Sequence, residues 1–325
     1  MLNDKLNRFL FAFFSLTVVG VLYSKYQEKN RLSDEEADYK KIKEYLLNES
    51  SIAKSKKPIL WIHVPYEINA RNWKSFGSRN SNDLNQPYLY LCLKSIIDKC
   101  GNDFNICLID DDSFGKLVPD WIINMNKLPY NLQSYIRSIG LCKIIYYYGG
   151  LLLPVNTICF SSLLPVYNDI KQNNKPFFLE DRASSIYLSD EVRTFPSFEM
   201  VGCEKNNATM NFIINLLEEN LSSDYTDETN FLGQNRRQLY KLTRNGQIHL
   251  IDGRTMGIKN DNNKEISIEM LMGETKIDLA LKCYALIIPR KEVIIRNKYS
   301  WFVQLNIQQI LESNFVLAKC FKNVS

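Results

Sequence analysis

Arg137–Asn156 reads RSIGLCKIIYYYGGLLLPVN. From Arg137 to Tyr148 the apolar side chains Ile139, Leu141, Ile144, Ile145 and Tyr148 recur at the spacing of a helix that buries one face. Gly149 supplies the left-handed residue that ends such a helix, and Gly150 lets backbone pass close to a neighbour or a ligand. Leu151, Leu152 and Leu153 form an apolar run too short for a helix and suited to a strand buried on both faces, which Pro154 stops. The stretch therefore predicts a helix, a Gly-Gly turn and a buried strand. In open α/β sheets ligands sit beyond the carboxyl ends of such strands, so Pro154–Thr157 is the first place to look for a site.

Working outward, the same alternation repeats. Ile59–Ile62 is a buried strand leading into His63, and Pro87 opens a helix through Ile97. Phe104–Ile109 is a second buried strand, followed by Asp110, Asp111, Asp112 and Ser113. Three carboxylates at a strand end suit either a metal ion, through Asp110 and Asp112, or the cap of a short helix over 114–117, supplied by Asp112 or Ser113. Beyond the central stretch come a short helix over 160–167 and a buried strand over 176–179 ending in Glu180. Next comes FEMVGCEKNNATMNFIINLLEEN, a strand, turn and helix with Asn207 as cap. A helix over 231–242, strands over 247–251 and 285–289 and a C-terminal helix over 307–315 complete the pattern. Alternating helices and uniformly apolar strands imply an α/β domain with a mostly parallel sheet.

The Gly-Gly stretch resembles the glycosyltransferases that carry an Asp-x-Asp motif, a group with capsular-polysaccharide and Golgi mannosyl-type members. Their pattern runs D-x-x-R-x-x-x-L-x-x-x-G-G-x-x-x-D-x-D. Aligned on Gly149 and Gly150, Ile145 takes the Leu place and Tyr148 precedes the glycines, while ILWIH resembles the family's first strand. The polar places differ: Ser138 and Leu141 stand for the first Asp and the Arg, and Pro154 and Asn156 for the Asp-x-Asp pair. The resemblance implies a GT-A type nucleotide-sugar transferase fold and sugar transfer from a nucleotide-sugar donor to a glycan or lipid-linked acceptor. It also implies a Mn or Mg cofactor, which the replaced aspartates argue against. The alternative is a catalytically inactive protein of that fold, a membrane-tethered structural or glycan-binding component, compatible with a viral source.

The expected site follows. Arg137, one helical turn from Leu141, is the candidate for countering the diphosphate leaving group, and Glu199 is the candidate base. His63, Arg71, Arg79, Gly149, Gly150 and Asn156 are candidates for substrate binding, and Asp110 and Asp112 for metal. Arg71 and Arg79, with Asn82, belong to a long polar loop over 69–85, where functional residues concentrate.

Four segments are expected: a tail over 1–8, a membrane-spanning signal anchor over 9–25, a helical stalk and linker over 26–57, and the α/β domain over 58–325. Phe9–Tyr23, FLFAFFSLTVVGVLY, is uncharged; as a helix it spans about 22 Å, short of a hydrocarbon core of roughly 30 Å, and Leu6 and Tyr26 extend it. No small-x-small cleavage site follows, so an uncleaved anchor is expected. The cations Lys25, Lys29 and Arg31 outnumber Lys5 and Arg8, so charge does not set its orientation. A lumenal catalytic domain follows only from the resemblance, and sequons at Asn48, Asn207, Asn220 and Asn323 agree with it. The net charge of +4 is dispersed, which speaks against a nucleic-acid partner. Eight cysteines without a C-x-x-C pair and only two histidines speak against zinc; buried small hydrophobes are the expected role of the thiols.

Overall fold

The computed structural model describes residues 57–64, 86–180, 195–223, 228–295 and 297–324. The expected tail, anchor and stalk over 1–56, and the loop carrying Arg71, Arg79 and Asn82, lie outside these residues. No described helix is long and apolar enough to cross a membrane.

Among the described residues, six strands form one sheet in the order β2-β1-β3-β6-β5-β7. They are β1 (Ile59–His63), β2 (Asn105–Ile109), β3 (Gly150–Pro154), β5 (Phe177–Glu180), β6 (Pro196–Cys203) and β7 (His249–Ile251). Strand β1 pairs in parallel with β2 and β3, and β5 in parallel with β7, whereas β6 runs antiparallel between β3 and β5. The sheet is thus mixed and mostly parallel. A two-stranded antiparallel sheet of β4 (Thr157–Cys159) and β8 (Ala285–Ile287) was not expected. Strand β8 falls within the strand expected over 285–289, whereas β4, three residues long, is too short to show a period.

The first connection places α1 (Pro87–Cys100) between β1 and β2; α2 (Phe114–Leu117) and α3 (Tyr130–Tyr148) then lead into β3. The chain moves outward from β1 to β2 and returns on the other side of β1 to β3. The carboxyl ends of β1 and β3 are therefore the point where strand order reverses, which opens a crevice in such sheets. Helix α3 begins seven residues before Arg137, after Pro129, because Pro at a helix start costs no hydrogen bond. It packs on β3, β6 and α5 (Ala208–Ser223).

Helix α4 is Leu164–Asn173, so the helix expected over 160–167 begins later, and α6 is Glu228–Arg244. Helices α7 (Ile268–Met272) and α8 (Arg290–Ile295) are short. The helix expected over 307–315 is α9 (Ile307–Glu312), and a further helix, α10 (Val316–Val324), follows it. Asn306 caps α9 by accepting from the Gln309 N–H at 2.8 Å, and α10 packs on β4 and α1. Uniform burial along β1, β3 and β5 explains why their sequences do not alternate.

The Gly-Gly turn joins helix to sheet as the sequence predicts. Gly149 has φ 71°, and its N–H closes the last turn of α3 on the Ile145 carbonyl at 2.8 Å. Gly150 has φ 105°, and a Cβ there would lie 2.3 Å from the Ile59 carbonyl oxygen, so only glycine lets β3 pair with β1 at this point. Trp61 on β1 donates its indole N–H to the Gly149 carbonyl at 2.9 Å, and its ring meets Tyr148 at 5.7 Å. Both glycines are thus backbone devices in contact with the chain itself.

Candidate functional site

Strands β1, β2, β3, β5 and β7 point their carboxyl ends to one edge of the sheet, where β6 begins. Two buried polar clusters lie along this edge.

The first joins His63, the last residue of β1, Asp111, two residues past β2, and Arg137 in the body of α3. Arg137 donates from Nε to Asp111 Oδ1 at 2.8 Å and from Nη2 to Asp111 Oδ2 at 2.6 Å. His63 Nε2 lies 2.9 Å from Asp111 Oδ1. Burial of Asp111 works against its charge, but hydrogen bonds from Arg137 and His63 outweigh that cost and hold the carboxyl at about 2. Ionised, Asp111 only accepts, so Nε2 carries the imidazole proton and Nδ1 the lone pair. Burial outweighs the attraction of Asp111 and lowers the His63 pKa, so the ring is neutral at pH 7. Phe114 stacks on it at 5.8 Å and 11° and in turn packs against Trp121. The cluster carries one negative and one positive charge and no net charge.

The second cluster lies at the end of β5. Glu180 pairs with Lys259 and accepts from the Gly253 backbone N–H at 2.9 Å. Both side chains are nearly buried, and the pair ties the loop after β7 to the sheet. At roughly 4.8 Å per strand, β1 and β5 are roughly 14 Å apart across β3 and β6.

Of the candidate residues, the fold brings His63 and Arg137 together, with Asp111 and not its neighbours as the link. Asp110 is instead the cap of the 3₁₀ turn over 111–113: its Oδ1 accepts from the Ser113 N–H at 2.9 Å and Ser113 Oγ accepts from the Asp110 N–H at 3.1 Å. Asp112 is exposed. The D-x-x-S spacing of Asp110 and Ser113 was the available signal, since it commits Asp110 to capping and leaves Asp111 to turn inward. Asn156 is buried and its amide nitrogen serves the backbone: its Nδ2 donates to the Ile288 carbonyl, and the Ile288 N–H donates to the Asn156 carbonyl at 2.9 Å. Its amide N–H thus extends the β4–β8 pairing. Glu199 is exposed on β6, and continuing the register Leu152↔Val201 brings it level with Pro154. Lys259 and Glu180 were missed because Lys259 lies in a loop with no motif, 79 residues from its partner.

A divalent cation does not fit this donor set. The places of the Asp-x-Asp pair hold a proline and an amide already engaged, Asp110 caps, and Asp111 serves Arg137 and His63. Among the described residues no group of three or more His, Cys, Asp or Glu side chains converges.

No family model and no curated protein matches the chain. Among solved structures it is similar to the galactosyltransferase LgtC in complex with donor and acceptor sugar analogues. That match has 10% identity, a TM-score of 0.39 and coverage of 82% of this chain and 94% of that one. A second LgtC structure, of an active-site mutant, matches at 12% identity, a TM-score of 0.34 and coverage of 71% and 86%. The apo form of the glycosyltransferase GlyE from Streptococcus pneumoniae TIGR4 matches at 10% identity, a TM-score of 0.31 and coverage of 62% and 46%.

Proposed function

We propose that this chain is a membrane-anchored protein of the glycosyltransferase type that binds a nucleotide-sugar in the crevice at the ends of β1 and β3 and transfers its sugar to a glycan or lipid-linked acceptor. The observation that carries the reading is the buried His63–Asp111–Arg137 cluster at the point where strand order reverses. Burying a charged pair beside an imidazole is costly unless the groups are fixed in use or in structure, and such clusters in a crevice are candidates for a site. His63 Nδ1 is an acceptor for a ribose hydroxyl or a base N–H. Among the described residues, Arg137 keeps its Nη1 edge to meet a phosphate oxygen. The exposed carboxylate of Glu199 is the candidate to take the acceptor proton as the acceptor oxygen bonds to the sugar and the sugar–phosphate bond breaks.

The non-catalytic reading has its own support. Asp111 already neutralises Arg137, so the described residues bring little net positive charge to a departing diphosphate. A glycan-binding or scaffold protein needs only the hydrogen-bonding crevice. The N-terminal apolar segment supports a membrane tether in either case, with the α/β domain lumenal or beside a viral membrane.

Calorimetry on the full-length chain with UDP- and GDP-sugars, with and without manganese, decides between them when paired with an assay for released nucleotide. Binding with turnover, lost in Arg137→Ala, supports transfer. Binding without turnover supports the non-catalytic reading. No binding at millimolar donor overturns the nucleotide-sugar assignment.

A further inference from the structure

Two of the four sequons lie wholly within the described residues, Asn207-Ala208-Thr209 and Asn220-Leu221-Ser222, and the fold uses their asparagines differently. An N-linked glycan is bulky and replaces one of the two hydrogens on the side-chain amide nitrogen, so its asparagine must have a hydrogen to spare. Asn220 has none. It lies on α5, which packs on α6, and its Nδ2 donates across that contact to Asn235 Oδ1 at 2.6 Å and to Gln238 Oε1 at 2.8 Å. Asn235 is 2% exposed, so a sugar on this nitrogen would force the two helices apart. Asn207 stands in the turn between β6 and α5, beside the exposed residues Lys205, Asn206 and Ala208. Its Oδ1 caps α5 by accepting from the Met210 N–H at 3.1 Å, and its Nδ2 donates to the Asn174 carbonyl at 3.1 Å. Among the described residues that is the one bond its nitrogen makes, so a sugar can take the second hydrogen while the cap and the Asn174 bond persist. Strand β6 reaches this turn from Cys203, which pairs with Gly150 at the amino end of β3, so Asn207 stands at the sheet edge opposite the crevice.

We infer that Asn207 is an N-glycosylation site and that the Asn220 sequon stays bare in the folded protein. The inference rests on the lumenal placement of the α/β domain proposed above, and not on sugar transfer by this chain. The sugar donor is a lipid-linked oligosaccharide pyrophosphate. Asn207 Nδ2 bonds to the anomeric carbon of its first sugar and the sugar–phosphate bond breaks. The lipid pyrophosphate leaves with the bonding pair, and the nitrogen gives up one proton. A chain modified at Asn220 before folding lacks one of the two bonds that Nδ2 makes to α6 and has a bulky group in the helix contact, so it is depleted from the folded protein. The glycan on Asn207 covers the start of α5 and leaves the crevice at the ends of β1 and β3 open.

The full-length chain made in mammalian cells tests this. A glycosidase that turns each asparagine it strips of a glycan into aspartate marks the occupied positions, and peptide mapping by mass spectrometry reads them. Protease protection of the α/β domain in sealed microsomes is measured on the same cells. The expected result is a protected domain with conversion at Asn207 and none at Asn220. Thr209→Ala, which keeps the Asn207 cap but breaks its sequon, should lose the conversion at Asn207, while Ser222→Ala should retain it. Conversion at Asn220, or none at Asn207 in a protected domain, overturns the assignment. A domain open to protease and without glycans overturns the lumenal placement, and the site falls with it. The wild-type map is decisive even where a variant fails to fold.

Discussion

Asp111 holds Arg137 with both carboxylate oxygens, at 2.8 and 2.6 Å, and shares one of them with His63 at 2.9 Å. The guanidinium is therefore engaged by the protein's own carboxylate along one edge, so a ligand meets a balanced dipole and not a bare cation. The same grip makes the cluster sensitive to acid. Asp111 is about 2 when folded against an ordinary 3.8, so its contribution is fully present above pH 4 and is lost as pH falls toward 2. His63, lowered by burial, adds a loss in the same direction, beginning as pH falls below 6.5, because the unfolded ring binds a proton more readily. Denaturant unfolding should show stability declining below pH 6.5 and then a further loss of about 2 kcal/mol between pH 4 and 2. An Asp111→Asn variant should lose that lower segment; an unchanged profile in the variant would remove Asp111 as its source.

Truncating one member of the cluster should cost more than truncating two. Arg137→Ala leaves Asp111 ionised and 4% exposed with only an imidazole for company, a loss of about 3 kcal/mol. Asp111→Asn made in the Arg137→Ala background should recover part of it, because the stranded charge is gone. A double-mutant cycle by urea unfolding measures this, and strict additivity would show that the pair is not coupled.

The sequence carried the frame better than the site, for a physical reason. Gly149, Gly150 and the leucines after them act through backbone and burial, which are local, so the helix-turn-strand over 137–154 is legible in them. The partners of the site are long-range. Nothing near Asp111 announces that Arg137, 26 residues on, will reach it, or that Lys259 will reach Glu180. Asn156 is a related case: its amide N–H is taken by the Ile288 carbonyl, 132 residues away, a pairing that nothing beside it in the sequence announces. The helix expected over 307–315 ends at Glu312 because Ser313 caps it in extended backbone, and the next helix starts at Val316, whose N–H is donated to the Gly273 carbonyl at 2.8 Å.

Restoring the missing Asp-x-Asp aspartate at Asn156 should not create a metal site. Asn156→Asp removes the amide that serves the Ile288 carbonyl and sets a carboxylate against it, with the residue 8% exposed. A stability loss of about 3 kcal/mol is expected. No manganese-dependent rise in thermal midpoint should accompany it; such a rise would reinstate this strand end as a metal-binding position.

Gly150 and Gly115 separate backbone necessity from mere smallness. A Cβ at Gly150 would sit 2.3 Å from the Ile59 carbonyl oxygen, 3.1 Å from its carbon and 3.3 Å from its Cβ, at φ 105°. The obstruction is mostly backbone of a central strand, which cannot swing aside, so β1 and β3 must separate at their amino ends, four residues before His63 and Pro154. Gly150→Ala should cost at least about 3 kcal/mol. Gly115 lies in α2 with nothing within 4 Å of its would-be Cβ, so Gly115→Ala should be neutral or raise stability by up to about 1 kcal/mol. Thermal unfolding of the two variants side by side checks this contrast. Equal midpoints would mean that β1 and β3 have slack at the Gly-Gly turn.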